Sequence, residues 1–186
     1  IIAKSFVRWI RNTIGCQTPK IAIGTDSRLS GATIKNAFIK GAVEAGADIM
    51  DCSLASTPAM FMTTVNDDVQ ATASVMVTAS HLPYNRNGLK FFTPKGGLDS
   101  RDIADILDIA ERGDYAYDGA AGNSATLDFM TIYSRHIADY ICQGVHADDY
   151  EHPLKGMHIV VDAGNGGGGF FERILSQLGA DTQGSQ

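Results

Sequence analysis

The sequence has 186 residues, of which 44% are hydrophobic and 19% are charged, and its net charge is −6. This composition argues against a disordered chain, and the acidic balance argues against nucleic acid as a partner. No apolar run approaches the roughly 18–20 residues that span a bilayer, so no membrane partner is expected. The three cysteines are widely spaced without a CxxC pair, which predicts free thiols and a cytoplasmic location.

Hydrophobic periodicity predicts helices that alternate with strands. The first helix is indicated by Ile2, Phe6, Ile10 and Ile14, which recur every fourth residue before Gly15. Further helices are expected at about 30–45, 57–65, 99–110, 127–143 and 170–178, and strands at 20–24, 48–52, 73–78, 88–93 and 157–162. Within this scheme Thr57 is the expected N-cap of the third helix, and 113–125 is expected to be loop. The alternation favours an α/β fold of three layers, αβα, around a mixed sheet.

Two segments of the chain share one pattern of strand, glycine loop, helix and Gly-Ala-Asp. The first runs from KIAIGTDSRLSG to EAGADI, and the second from MHIVVDAGNGGG to QLGADT. A polar stretch at 144–153 lies between them and is typical of a linker. The sequence therefore predicts a first domain at 1–152 and the opening strand–helix unit of a similar second domain at 153–186.

The segment TASHLPYNRNGLK (78–90) contains the strongest candidates for chemistry. It follows a strand of the buried type, and side chains on loops at the carboxyl ends of strands often carry function. Ser80 is a candidate nucleophile or phosphate carrier, His81 a candidate acid, base or phosphate ligand, and Lys90 a cation on the returning strand. The alternative is a plain capped turn closed by Pro83 and Asn87-Gly88, with His81 merely exposed. No GxSxG motif is present, which argues against a serine hydrolase.

Residues 78–90 resemble the phosphoserine loop of the α-D-phosphohexomutases, the phosphoglucomutase and phosphomannomutase superfamily, whose usual form is TASHNPxxxNGxK. Leu82 stands where the family usually has Asn. GTDSRLSG (24–31) is similar to the family's GxDxRxSG, and VVDAGNGGGG (160–169) is similar to its VDxxNGxG. The three motifs occur in the family's order and together cover most of the chain.

The resemblance implies a mutase that interconverts sugar 1-phosphate and 6-phosphate. Phosphorylated Ser80 would donate its phosphoryl group to a hexose phosphate, and a bisphosphate such as glucose 1,6-bisphosphate would act as intermediate and activator. Mg²⁺ would bind through the phosphate on Ser80 and an aspartate loop. Lys90 matches the family's proton-transferring lysine, and His81 would contact phosphate or sugar. Arg28 and Asn87 are expected to bind substrate.

The resemblance also implies segments that this sequence lacks: a TxGxRG arginine segment, a DGDGDR-type metal loop, and third and fourth domains that bind the sugar and its phosphate. We therefore expect that the 186-residue chain alone does not run the mutase cycle. The partners of the chain would be a hexose phosphate and those remaining domains. Which hexose is used stays open.

Two further segments allow alternative interpretations. For GTDSRLSG (24–31), one interpretation is a strand-to-helix turn capped by Asp26 or Ser30, and the other is that Arg28 orients the loop that carries Ser80. GNGGGG (164–169) satisfies GxGxxG, and on Gly164, Gly166 and Gly169 rests the alternative of a nicotinamide-dependent, dinucleotide-binding oxidoreductase. Close packing of strand and helix explains the same glycines. A non-catalytic protein that binds sugar phosphates is the remaining alternative.

Overall fold

The computed structural model describes all residues from Ile1 to Gln186. They form two compact units, Ile1–Leu127 and Asp128–Gln186, and each unit has an apolar core of its own. The predicted α/β class is confirmed, with a six-stranded sheet flanked by helices. None of the helices combines the length and the apolar character needed to cross a membrane.

The first unit contains all six strands of the sheet. Its helices are α1 (Ile2–Thr13), α2 (Gly31–Glu44), α3 (Thr57–Met62) and α4 (Ser100–Arg112). Its strands are β1 (Lys20–Thr25), β2 (Asp48–Leu54), β3 (Ala73–Val77), β4 (Leu89–Thr93), β5 (Gly96–Gly97) and β6 (Ser124–Thr126), in the order β5-β4-β3-β1-β2-β6. β1 is parallel to β2 and β3, and β6 is parallel to β2, whereas β4 is antiparallel to β3 and to β5. The sheet is therefore mixed, as predicted.

Helices cover both faces of this sheet, which explains the continuous apolar sequence of β3. Val75 and Val77 point to the main core, which α1, α2 and α4 complete with residues such as Phe6. The alternate residue Ser74 meets α3, where its hydroxyl donates a 2.6 Å hydrogen bond to the carbonyl oxygen of Met60. Because side chains of a strand alternate between faces, a strand between two helical layers needs compact residues on both.

Most predicted elements of the first unit are confirmed, and three details are wrong. The N-cap of α3 is Ser56, whose hydroxyl accepts a hydrogen bond from the Ala59 amide at 3.2 Å, so Thr57 is already helical. α3 also ends at Met62 rather than near Val65. The expected loop at 113–125 contains the start of β6, a three-residue strand with all residues exposed. Its pairing with β2 creates this strand, and an exposed strand has no apolar alternation to reveal it.

The second unit contains α5 (Phe129–Val145) and α6 (Phe170–Gln177), with a 3₁₀ turn at Gly167–Gly169. Its small core consists of Cys142, Leu154, Ile174, Leu178 and Ala180. The strand expected at 157–162 is wrong as a regular strand. One parallel bridge joins His158 to Asp181, and two separate backbone bonds join Gln186 to Val161 and Ala163 at 2.9 and 3.1 Å. A strand needs a neighbour along its length to form a ladder. The domain boundary at 152/153 stays a prediction.

Candidate active site

The candidate site is the loop of residues 78–88, which joins β3 to β4 and is called the serine loop below. The amide of Thr78 donates to the carbonyl oxygen of Gly88 at 3.0 Å and closes the base of the loop. A Cβ atom on Gly88 would lie 3.2 Å from the Thr78 carbonyl oxygen, so this position favours glycine. Because β1 and β3 are parallel, the serine loop lies at the carboxyl edge of both strands.

Ser80 is exposed on this loop and has an unusual backbone conformation. Its φ angle is 54°, in the left-handed region that few residues other than glycine adopt. Such a conformation costs roughly 1–2 kcal/mol and persists only where neighbouring groups hold it. The contacts that surround Ser80 therefore matter for its function.

Arg28 follows β1 and contacts the serine loop through backbone carbonyl groups. Its Nη2 atom donates to the carbonyl oxygen of Ser80 at 2.6 Å, and its Nη1 atom donates to those of Pro83 and Arg86 at 2.6 and 3.1 Å. A guanidinium group suits this task because its five donors form a rigid, planar fork. The interpretation that Arg28 orients the loop agrees with these contacts, and substrate binding by Arg28 stays a prediction.

Asp26 holds Arg28 and also reaches the serine loop. Its Oδ1 atom accepts from the Arg28 amide at 3.1 Å, and its Oδ2 atom accepts from Arg28 Nε at 3.0 Å. The same Oδ2 accepts from the Thr78 hydroxyl at 2.6 Å, and Thr78 Oγ1 in turn accepts from the Ser80 amide at 3.0 Å. The sequence alone indicates only a turn role for Asp26 and no role for Thr78, because their contact depends on the parallel pairing of β1 and β3.

Asn87 makes a further link between the two loops. Its Nδ2 atom donates to the Ser30 hydroxyl at 3.0 Å, and its Oδ1 atom accepts from the Gly88 amide at 2.9 Å. Ser30 is the N-cap residue of α2, as expected, but it makes no side-chain capping bond. Asn87 thus fixes the end of the serine loop against the start of α2, and its expected contact with substrate stays a prediction.

His81 and Lys90 complete the set of predicted site residues. His81 follows Ser80 directly and is exposed. Lys90 is the second residue of β4, opposite Met76 in β3, and is also exposed. Strand pairing thus keeps Lys90 at the edge of the sheet that carries the serine loop. A hydroxyl group, an imidazole and an amino group therefore share one short, solvent-accessible segment.

The side chains of this chain do not form a metal centre by themselves. No group of three or more His, Cys, Asp or Glu side chains converges in a way that could hold an ion. Phosphate oxygens on Ser80 would be hard oxygen ligands of the kind that Mg²⁺ prefers. The expectation that phosphorylated Ser80 is a ligand of Mg²⁺ stays a prediction.

The glycine segment of the second unit lies apart in sequence from the serine loop. Gly164 has a φ angle of 53° and Gly169 precedes α6, which has only eight residues. The amide of Gly166 donates to the carbonyl oxygen of Ala163 at 2.7 Å and forms a tight turn. A dinucleotide site of the GxGxxG type needs a strand before the glycines, and no regular strand precedes them here.

Fold and loop together define a three-layer αβα domain that presents an exposed serine between β3 and β4. Residues 1–116 match the family model described as phosphoglucomutase/phosphomannomutase, alpha/beta/alpha domain I. The chain belongs to this family. It spans about a third of the length of the curated relatives it matches.

Two of these relatives and one solved structure illustrate the similarity. A phosphoglucosamine mutase of Exiguobacterium sp. is 32% identical over 168 residues, which cover 89% of this chain and 36% of the relative. A phosphoglucomutase of Neisseria meningitidis serogroup B is 30% identical over 161 residues, which cover 86% of this chain and 32% of the relative. A phosphoglucomutase/phosphomannomutase family protein from Burkholderia thailandensis shares the fold with a TM-score of 0.75 at 21% identity, covering 97% of this chain and 39% of that one.

Proposed function

We propose that the natural protein carrying this chain is a phosphohexomutase that interconverts sugar 1-phosphate and 6-phosphate through phosphorylated Ser80. The observation that carries this proposal is the exposed Ser80, held with a φ angle of 54° between the Arg28 and Thr78 contacts. Membership of a family whose relatives are named as sugar-phosphate mutases supports the reaction class. Three free cysteines fit a reducing compartment such as the cytoplasm.

In the first half-reaction, a hydroxyl oxygen of the sugar phosphate attacks the phosphorus on Ser80. The bond between that phosphorus and Ser80 Oγ breaks as the new oxygen–phosphorus bond forms. Lys90, in its uncharged form, is the proposed acceptor of the hydroxyl proton. Lys90 then passes this proton to the departing Ser80 Oγ, and the products are a sugar bisphosphate and a free Ser80 hydroxyl. A bound Mg²⁺ supplies compensation for the charge on the phosphoryl oxygens.

In the second half-reaction, the bisphosphate presents its other phosphoryl group and Ser80 Oγ attacks it. The phosphorus–oxygen bond to the sugar breaks, the proton of the Ser80 hydroxyl passes through Lys90 to the sugar oxygen, and phosphorylated Ser80 is restored. His81, the residue that follows Ser80 in the chain, is proposed to hold the phosphate. The chemistry needs positioning more than covalent assistance, as in other phosphoryl transfers, so the rigid attachment of the serine loop supports this role.

The test is a coupled mutase assay on the intact natural protein, with glucose, mannose and glucosamine 1-phosphate offered separately. We expect turnover with at least one of them and a loss of about a thousandfold or more in Ser80→Ala. Ser100→Ala removes another exposed hydroxyl, at the start of α4, and is expected to leave the rate unchanged. Binding of a sugar phosphate without turnover would instead support a non-catalytic binding protein.

A further inference from the structure

We propose that Asp26 and Thr78 are positioning residues that hold the peptide groups of Ser80 in the left-handed conformation. Neither residue is expected to touch the substrate. The role of this conformation in phosphoryl transfer rests on the proposed function, whereas the hold on the Ser80 backbone does not. The proposal can therefore be tested separately from the mutase activity.

The Thr78 hydroxyl carries a single proton, and Asp26 determines its direction. A carboxylate accepts hydrogen bonds but cannot donate them, and Asp26 is paired with Arg28 as a carboxylate. The 2.6 Å contact with Asp26 therefore takes the single proton of the Thr78 hydroxyl. The lone pairs of Thr78 Oγ1 are left to accept the Ser80 amide at 3.0 Å. Asp26 thus fixes the orientation of the Thr78 hydroxyl, so that its proton points away from Ser80 and a lone pair of Oγ1 faces the Ser80 amide.

The carbonyl group of Ser80 is also linked to the Asp26 carboxylate, through Arg28. The Ser80 carbonyl oxygen accepts from Arg28 Nη2 at 2.6 Å, and Arg28 Nε is bound to Asp26 Oδ2 at 3.0 Å. Both hydrogen-bonding groups of the Ser80 backbone are therefore fixed through Asp26. Thr78 is buried and Asp26 is partly buried, so water competes less for the Asp26–Thr78 bond, whereas the bond from Arg28 to the Ser80 carbonyl oxygen is exposed.

The backbone conformation of Ser80 determines where its side-chain oxygen lies. Backbone and side-chain directions are coupled, so a serine that leaves the left-handed region carries its Oγ to a different place. Misplacement of a reacting atom by about 1 Å can cost about a hundredfold in rate. The Asp26–Thr78 pair therefore places Ser80 Oγ for transfer without entering the chemistry.

The main test compares Thr78→Val with Thr78→Ser in the intact natural protein. Valine keeps the shape but removes the hydroxyl, whereas serine keeps the hydroxyl. The first readout is hydrogen exchange of the Ser80 amide without ligand. We expect exchange about tenfold faster in Thr78→Val and near the natural rate in Thr78→Ser. The second readout is the rate at which glucose 1,6-bisphosphate phosphorylates Ser80, which we expect to follow the same order.

A second variant, Asp26→Asn, covers the case in which Thr78→Val does not fold. An amide that donates to Thr78 Oγ1 would reverse the hydrogen bond and turn the hydroxyl proton away from the carboxylate position. We expect Ser80 amide exchange about tenfold faster and phosphorylation about tenfold slower. Asp67→Asn, at an exposed turn, is the matched control and should change neither.

The outcomes separate this proposal from the proposed function. Faster exchange in Thr78→Val and Asp26→Asn, with rescue by Thr78→Ser, supports the hold on Ser80 even if no phosphate is ever transferred to the natural protein. In that event only the mutase proposal fails. Unchanged exchange in the folded variants, or equal losses in Thr78→Val and Thr78→Ser, would overturn the positioning role.

Discussion

The Nη2 atom of Arg28 lies 2.6 Å from the carbonyl oxygen of Ser80, so a residue that follows β1 holds the loop that follows β3. The Nη1 atom reaches two more carbonyl groups of the serine loop, those of Pro83 and Arg86. These three contacts attach the loop at its start, middle and end. The order of the serine loop should therefore depend strongly on this single guanidinium group.

Arg28→Lys should loosen the serine loop without unfolding the domain. A lysine ammonium keeps the charge but cannot reach three carbonyl groups with a planar fork. We expect trypsin to cleave after Arg86 about tenfold faster, because local opening exposes the peptide bond. Mass spectrometry of limited digests measures this rate. Arg8→Lys, which alters a surface bond to Ala116, is the control, and equal cleavage rates in both variants would contradict the prediction.

Gly31→Ala should destabilise the first unit through overpacking. A Cβ atom at Gly31 would collide with Thr25 Oγ1, which is bonded to the carbonyl oxygens of Asp26 and Val77. We expect the free energy of unfolding to fall by about 1–3 kcal/mol in urea denaturation. Gly144→Ala, on α5 with open space around it, should instead raise this free energy by about 0.5–1 kcal/mol. A neutral Gly31→Ala would show that the contact relaxes easily.

Lys35→Met should lower the free energy of unfolding because it leaves the Asp51 carboxylate without its positively charged partner. Lys35 is only 8% exposed, and its Nζ atom lies 2.6 and 2.7 Å from the two carboxylate oxygens of Asp51. We expect a loss of about 2 kcal/mol in unfolding free energy, below the value for full burial because Asp51 keeps some exposure. The double variant Lys35→Met/Asp51→Leu should recover part of this loss. A double variant less stable than Lys35→Met would contradict the claim that the unpaired charge of Asp51 causes the loss.

Cys52 should be the least reactive thiol of the first unit. Burial, with a smaller contribution from Asp51, raises the pKa of Cys52 to about 12. Because the thiolate is the reactive form, iodoacetamide at pH 8 should modify the partly exposed Cys16 well before Cys52. Peptide mass spectrometry over time measures both rates, and unfolding in urea should equalise them. Alkylation of Cys52 at the rate of Cys16 in the folded protein would contradict the raised pKa.

The sequence predicted the first unit well because local signals and packing agree there. The apolar runs of β1 and β3 and the cap at Asp99 of α4 each point to the element that forms. The strand predicted at 157–162 is wrong because a strand needs a continuous partner, and this segment pairs only at isolated points, with Asp181 and Gln186. β6 was missed because it pairs through its backbone and buries no side chain.

The candidate site was predictable in its residues but not in its connections. The motif at 78–90 identified Ser80, His81 and Lys90 as neighbours along the chain. The bond between Asp26 and Thr78 joins residues 52 positions apart, and only the register of β1 against β3 brings them together. The left-handed φ angle of Ser80 could not be predicted either, because tertiary contacts impose it against the preference of serine for negative φ angles.

The proposed mutase function is tested most directly by peptide mass spectrometry of Ser80. The intact natural protein is compared before and after incubation with glucose 1,6-bisphosphate and Mg²⁺. We expect a phosphate on Ser80 that exchanges with the sugar. Isotopic labelling of the bisphosphate would reveal this exchange. The exposed Ser100 serves as an internal control and should stay unmodified. A Ser80 that carries no phosphate under either condition would contradict the proposed mutase function.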